Sequence, residues 1–289
     1  MKISSAAKIN LGLDVLRRRE DGYHELSMIM QSISLYDDLE MEKTEEPGIA
    51  LTGDAPGLSL GEDNLIWRAA HMLMEEFSLQ QGVRIYLTKR IPMAAGLAGG
   101  STDAAAAFRG MNQLFSLGLS TEELMQRGLK LGADIPYCIM GGTALAEGIG
   151  EKLTVLPPLP DCTILLAKPP VEVSTAYVYT HLRLGEITKH PDIAGQRTAL
   201  ARRDLESLAG KMGNLLETVA VPMHPVIEEI RTSMLRHGAL GARMSGSGPT
   251  VFGIFDAAEK AEEALFHVKE EGSAAFCMTV RPVPGPCRK

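Results

Sequence analysis

Several things are scarce in this 289-residue chain, and each scarcity removes a class of function. Its four cysteines, Cys138, Cys162, Cys277 and Cys287, stand far apart with no C-x-x-C pair, which excludes a zinc ribbon and a disulfide framework. Reduced thiols in a cytoplasmic protein are expected. No stretch approaches the roughly 18 apolar residues of a spanning helix, and polar Asn10 arrives before a secretory h-region develops. Positive charge is short as well: 29 Lys and Arg face 36 Asp and Glu, a net charge of −7. That balance argues against a nucleic-acid or anionic-membrane surface, so any phosphate site has to be built locally. The histidines show no metal-ligand spacing, and neither a repeat nor a low-complexity tract is present.

What remains is 45% hydrophobic and 22% charged, the profile of a globular protein with a sizeable core and more than one subdomain. The first half reads as mixed α/β. Residues 9–16 and 33–41 are short apolar or alternating runs bounded by turn residues, and 83–87 alternates as Val83, Ile85, Leu87; all three suit strands. Helical spacing of Leu65, Ala69, Met72 and Leu73 predicts a helix over 64–77 with Asp63 as its cap. A second helix is expected from Ser101 and a third from Thr121, the latter with a Ser120/Glu123 capping box. The prolines at 157, 158 and 160 mark a boundary, giving units 1–158 and 159–289. Beyond it we expect a strand over 162–167, helices over 199–208, 212–221 and 225–237, a Gly/Ser hairpin-like stretch over 238–253, a helix over 257–270 and a strand over 275–280.

The strongest chemical signal is Pro92-Met93-Ala94-Ala95-Gly96-Leu97-Ala98-Gly99-Gly100-Ser101-Thr102. Small residues let backbone N–H groups approach an anion, and the helix that follows adds unpaired donors and the positive end of its dipole. A polyphosphate suits such a loop, with the Ser101 and Thr102 hydroxyls available to phosphate or Mg²⁺. The Walker lysine is missing, so this is not a P-loop. Taken alone, the glycines equally suit a turn that packs a helix close to a sheet. A second small-residue segment runs from Gly241 to Gly253 around Ser245-Gly246-Ser247-Gly248, and a lysine, Lys8, sits in Ala7-Lys8-Ile9-Asn10-Leu11.

These three segments resemble the motifs of the GHMP kinase superfamily. Asp21-Gly22-Tyr23-His24-Glu25-Leu26 and Leu131-Gly132-Ala133-Asp134-Ile135-Pro136 extend the resemblance to the branch that acts on a diphosphocytidyl methylerythritol, over 7–253. The resemblance implies an α+β fold of two lobes, an N-terminal lobe of the ribosomal protein S5 domain 2-like type and a C-terminal α+β lobe, with ATP and acceptor between them. It implies phosphoryl transfer from ATP to the acceptor's 2-hydroxyl, with Mg²⁺, a small-molecule substrate, no nucleic-acid or membrane partner, and a monomer or weak homodimer. Other small-molecule kinases of the superfamily, acting on homoserine or mevalonate, are the alternative, and a catalytically silent binding protein is a third.

Residue by residue, the resemblance makes Asp134 the general base and Lys8 its neighbour, although an aspartate in this context also suits a helix cap. A lysine beside a carboxylate favours its ionised form and can hold the transferring group. Residues 92–102 become the nucleotide loop, with Ser101 as a metal hydroxyl. Asn64 and Lys89 match positions that touch adenine in relatives, while Lys89 also suits a solvated strand end. Asn10, Tyr23, His24, Thr175 and Tyr179 fall on the acceptor: Tyr23 and Tyr179 would sandwich the base and His24 would read its edge. Tyr177 competes with Tyr179 for that role. In Gly213-Asn214-Leu215-Leu216-Glu217 a leucine stands where relatives carry aspartate, so no carboxylate role is assigned there.

Overall fold

The fold begins with a long antiparallel pair, strand β1 (Lys2–Arg18) against β2 (His24–Thr44). In the computed structural model, which describes residues 1–285, there follow β3 (Ile49–Gly53), α1 (Leu65–Glu76), β4 (Gly82–Thr88), α2 (Gly99–Leu114), α3 (Thr121–Leu129), α4 (Ile135–Met140), β5 (Thr143–Gly148) and β6 (Lys152–Val155). The second half contributes β7 (Thr163–Lys168), α5 (Thr175–His181), α6 (Ile193–Arg202), α7 (Leu205–Lys211), β8 (Gly213–Asn214), α8 (Glu217–Met223), α9 (Val226–Arg236), β9 (Gly241–Met244), β10 (Val251–Phe255), α10 (Ala258–Glu270) and β11 (Phe276–Val280). Two sheets result. One has the order β3-β4-β2-β1-β8 with β5 and β6 attached through β2; the other has the order β11-β7-β10-β9.

Strand β1 carries an alternation that bulges interrupt. Ala7, Ile9 and Leu11 are buried in one apolar cluster, whereas Leu13 and Val15, at the same parity, are buried in the other. The register against β2 shifts between Asn10 and Gly12, and one extra residue turns the following side chains to the opposite face. A further shift between Val15 and Arg17 turns them back. Hence Lys8, Asn10, Leu13 and Arg18, which share no simple period, all line one cleft.

Helix α2 packs its Ala104–Phe108 run, fully buried, against α1 and the first sheet. The alanines permit this close approach. The capping box of α3 forms as expected, with Glu123 N–H donating to Ser120 Oγ at 3.2 Å and Ser120 N–H to Glu123 Oε2 at 2.8 Å. Three expectations change. The cap of α1 is Asn64 rather than Asp63: Asn64 Oδ1 accepts from Ile66 N–H at 2.8 Å, while Asp63 accepts from the Ser59 hydroxyl. The helix expected over 199–208 is two helices, because Arg203 adopts a left-handed φ of +56° and Asp204 starts afresh by capping α7. The helix expected over 212–221 begins only at Glu217, because Gly213 and Asn214 pair in parallel with Gly12 and Leu13. Thus a segment beyond the proline boundary completes the first sheet, and Ile33 and Ser34 of β2 likewise bond Pro282 and Arg281.

Candidate active site

A cleft of about 1380 Å³ runs between the two halves. Strand β1 brings Lys8 to its floor. The Lys8 backbone N–H leaves the β2 ladder and donates to Leu97 O at 3.1 Å, tying the strand to the loop before α2. Its side chain is 6% exposed; Nζ donates to Asn10 Oδ1 at 2.7 Å and to Gly96 O at 3.1 Å, and lies 3.9 Å from Asp134 Oδ2. Asp134 occupies the N-cap position of α4 but makes no capping bond, and its side chain is 35% exposed toward the cleft. An aspartate placed as a cap yet left uncapping is free to act on something else.

The loop expected to hold phosphate has a distinctive backbone. Ala94, Gly96 and Ala98 take φ values of +49°, +72° and +56°, so alternate residues are left-handed, a conformation that turns successive N–H groups toward a common concavity. For alanine that conformation costs roughly 1–2 kcal/mol per residue, so the loop is held from outside. The Gly96 carbonyl is where it is held: it accepts from Lys8 Nζ and from Ser245 Oγ at 3.0 Å. The lysine, the loop before α2 and the C-terminal glycine loop therefore meet on one oxygen. Asn214, in the segment to which no carboxylate role was assigned, donates through Nδ2 to Met244 O and Gly246 O, each at 2.8 Å, and Ser247 Oγ bonds Thr175 Oγ1 at 2.7 Å. Glu217, whose carboxyl burial pushes up, accepts from Met244 N–H at 2.7 Å.

Within the loop, Pro92–Gly96 and Ala98–Ser101 line the cleft, and Leu97 is buried beneath it. Ser101 faces the cleft from the first turn of α2. Thr102 does not: its hydroxyl donates to Ala6 O at 2.7 Å and the residue is 1% exposed, so no hydroxyl is offered to phosphate there. Lys89 lines the cleft but is no solvated strand end. Its Nζ is locked between Asp37 and Asp103, at 2.6 Å from the latter. Burial works against the charge of Lys89, yet the two carboxylates hold its pKa above the ordinary value; burial pushes Asp103 up to about 7, with Asp37 adding to the rise and Lys89 opposing it. Asn64 reaches the cleft wall while its side chain caps α1 and donates to Ser59 O at 2.7 Å. Neither polar head stands free for a base edge.

At the other end, α5 presents Thr175 and Tyr179, and the start of β2 presents Tyr23 and His24. The rings of His24 and Tyr179 stack, centroids 5.2 Å apart at 30°. Tyr23 sits in the turn before β2 and is 60% exposed. The aromatic pair is thus His24 with Tyr179, and Tyr23 offers a free face beside it. Tyr177 stacks on His181 and does not line the cleft, which separates it from Tyr179. Burial, and then the Arg18 charge, lower the His24 pKa below its ordinary value. Arg18 is a cleft-lining cation that sequence reasoning missed, because its aim depends on the bulge of β1 between Val15 and Arg17.

Among the described residues no group of three or more His, Cys, Asp or Glu could hold a metal ion, and no helix is long and apolar enough to cross a membrane. Cys138 and Cys162 are buried and Cys277 half-buried, all unpaired; burial pushes the Cys162 thiol up to about 12. Cys287 lies outside the described residues.

With this geometry in place the comparisons are decisive. Residues 64–142 match the GHMP kinases N terminal domain and residues 197–274 the GHMP kinases C terminal domain. A 4-diphosphocytidyl-2-C-methyl-D-erythritol kinase of Lachnoclostridium phytofermentans is 49% identical over 93% of this chain and 92% of its own. The chain belongs to the 4-diphosphocytidyl-2-C-methyl-D-erythritol kinase family of the GHMP kinases. A solved 4-(cytidine 5'-diphospho)-2C-methyl-D-erythritol kinase superposes with a TM-score of 0.83 at 34% identity, covering 98% of this chain and 99% of that one. A homoserine kinase from Cytophaga hutchinsonii superposes at 0.77 with 21% identity, covering 98% and 95%, a likeness of fold alone.

Proposed function

We propose that this kinase transfers the γ-phosphoryl group of ATP to the 2-hydroxyl of 4-diphosphocytidyl-2-C-methyl-D-erythritol, a step of the non-mevalonate route to isoprenoids, with Asp134 as the general base. The observation that carries this reading is the uncapped Asp134 carboxylate, 3.9 Å from a lysine that is pinned to the nucleotide loop. In the step, the acceptor oxygen forms its bond to the γ-phosphorus as the bond to the bridging oxygen breaks; the hydroxyl proton passes to Asp134 and ADP leaves. Lys8, held by Asn10 and Gly96, places its charge beside both the carboxylate and the phosphoryl group in flight. Little covalent chemistry is asked of the protein, because phosphoryl transfer depends on positioning and charge stabilisation.

The left-handed loop and the start of α2 would receive the ATP phosphates through backbone N–H groups. Ser101, which lines the cleft at the first turn of α2, would supply one hydroxyl to Mg²⁺. When bound, Mg²⁺ neutralises charge on the phosphates. His24, neutral near pH 7, can donate from one ring nitrogen and accept at the other, as reading a cytosine edge requires, while Tyr23 and Tyr179 supply stacking area. The test is ADP release with Mg-ATP and three acceptors: the cytidyl substrate, homoserine and mevalonate. Turnover confined to the first is expected. Turnover on either of the others would overturn the acceptor assignment, and binding of ATP without turnover on any would overturn the activity.

A further inference from the structure

The fourteen residues between Val178, at the heart of α5, and α6 form a strap whose two ends lie on opposite faces of the first sheet. Leu182 and Leu184 line the cleft beside Tyr179 and Thr175, and with Ile187 they pack on the larger apolar core. Eight residues past Leu182, His190 Nδ1 meets Asp14 Oδ1 at 2.7 Å. Asp14 follows Leu13 on β1. Since neighbours on a strand point to opposite faces and Leu13 faces the cleft, Asp14 faces away from it. The strap therefore leaves α5 on the cleft side, turns around the edge of β1 where β8 pairs only with Gly12 and Leu13, and is fastened behind the sheet.

The fastening is built rather than incidental. Asp14 is 5% exposed, and its Oδ1 accepts from Val15 N–H at 2.9 Å and pairs with His190. His190 is the one side chain of another element, among the described residues, that answers this buried carboxylate. A buried carboxylate without a partner is costly, so the pair holds the strap in place. Just beyond, Pro191 packs where a Cβ on Gly213 would sit, which fixes the strap against β8 as well.

We propose that Asp14 and His190 are positioning residues for the acceptor: the pair holds the strap so that Leu182 and Leu184 close the cleft wall next to Tyr179, whose ring stacks on His24, on the side that receives the cytidyl acceptor rather than ATP. The inference rests on the acceptor assigned above. It separates the two substrates, because among the described residues no hydrogen bond or ion pair joins 182–191 to residues 92–101, the proposed ATP loop.

The experiment is steady-state kinetics on His190→Ala, His190→Gln and Asp14→Asn, with hydrogen exchange read by mass spectrometry. His190→Ala is expected to raise the acceptor KM about tenfold, the worth of one hydrogen bond to a charged group, with the ATP KM unchanged. His190→Gln, which keeps a donor, should restore part of that loss, and in His190→Ala exchange should quicken across 182–191 but not across 92–101. Asp14→Asn keeps an acceptor and removes the buried charge, so His190→Ala placed on it tests the strap in a protein whose folding no longer depends on the pair. An unchanged acceptor KM, or an ATP KM that rises in step, overturns the proposal. If the wild-type enzyme does not turn over the cytidyl acceptor, the proposed function has failed instead, and hydrogen exchange alone then decides: unaltered exchange of the strap in His190→Ala overturns the latch.

Discussion

Asp134, unlike the buried Lys8 that ties Asn10 to Gly96, touches little else that would blur its removal. Asp134 caps nothing, so Asp134→Asn is expected to fold normally and to lower kcat by about 10²- to 10⁴-fold with the ATP KM nearly unchanged, in steady-state assays with the acceptor saturating. Equal losses in kcat and stability would point to a structural carboxylate instead. His24 supplies a pH dependence. Its pKa lies below the ordinary value because of burial and then Arg18, so the ring is neutral at pH 7 and gains a proton only as pH falls through that lowered value. The acceptor KM should therefore rise toward acid while the ATP KM does not. In Arg18→Ala the lowering by Arg18 is gone, so the rise should begin at a higher pH, measurable as KM against pH over about 5 to 8.

Among the elements, the nucleotide loop is where glycine and alanine behave differently at similar φ. A Cβ on Gly96 would strike the Ser245 carbonyl and stand 3.0 Å from Gly248 O, both backbone atoms. Gly96→Ala is thus expected to part the two glycine loops, raising the ATP KM and lowering Tm. Ala98→Gly relieves roughly 1–2 kcal/mol of left-handed strain and loses roughly 0.5–1 kcal/mol to chain entropy, so its Tm should stay near that of the parent. The loop, the helix behind it and the Ser120 capping box were legible in sequence because each is written locally in residue type and spacing. Two local features were not. The strand formed by Gly213 and Asn214 hides in an apolar run that reads as helix, and nothing nearby in sequence announces Gly12 as its partner. Lys89 and Thr102 fit the nucleotide motif by position, but the partners that claim them, Asp37 and the Ala6 carbonyl, are decided by tertiary packing. The same holds for Leu13 and Arg18, whose direction follows from bulges that no pattern of period two reveals.

For the molecule as a whole, the Asp37–Lys89–Asp103 group ties β2, the end of β4 and α2 together, with side chains that are 7% exposed at the lysine and less at both aspartates. Lys89→Met leaves two buried carboxyl groups facing each other with no cation between them and is expected to cost about 3–5 kcal/mol in urea denaturation. Asp103→Asn should cost far less and should change the pH response. Because burial raises the Asp103 pKa to about 7 from an ordinary 3.8, the native state keeps a proton that the unfolded chain has released. That contribution to stability is complete below the unfolded pKa and is lost as pH rises toward 7. The urea midpoint of Asp103→Asn should therefore fall less than that of the parent between about pH 4 and 7. The short parallel pairing of β8 with β1 bears on how the protein is made. Strand β1 leaves the ribosome well before its partner at Gly213 and Asn214, which is translated about two hundred residues later, and the partners of Ile33 and Ser34 near residue 282 come later still. The nascent segment must wait with an open sheet edge, and Lys8, which it carries, is framed only once those later segments have been made.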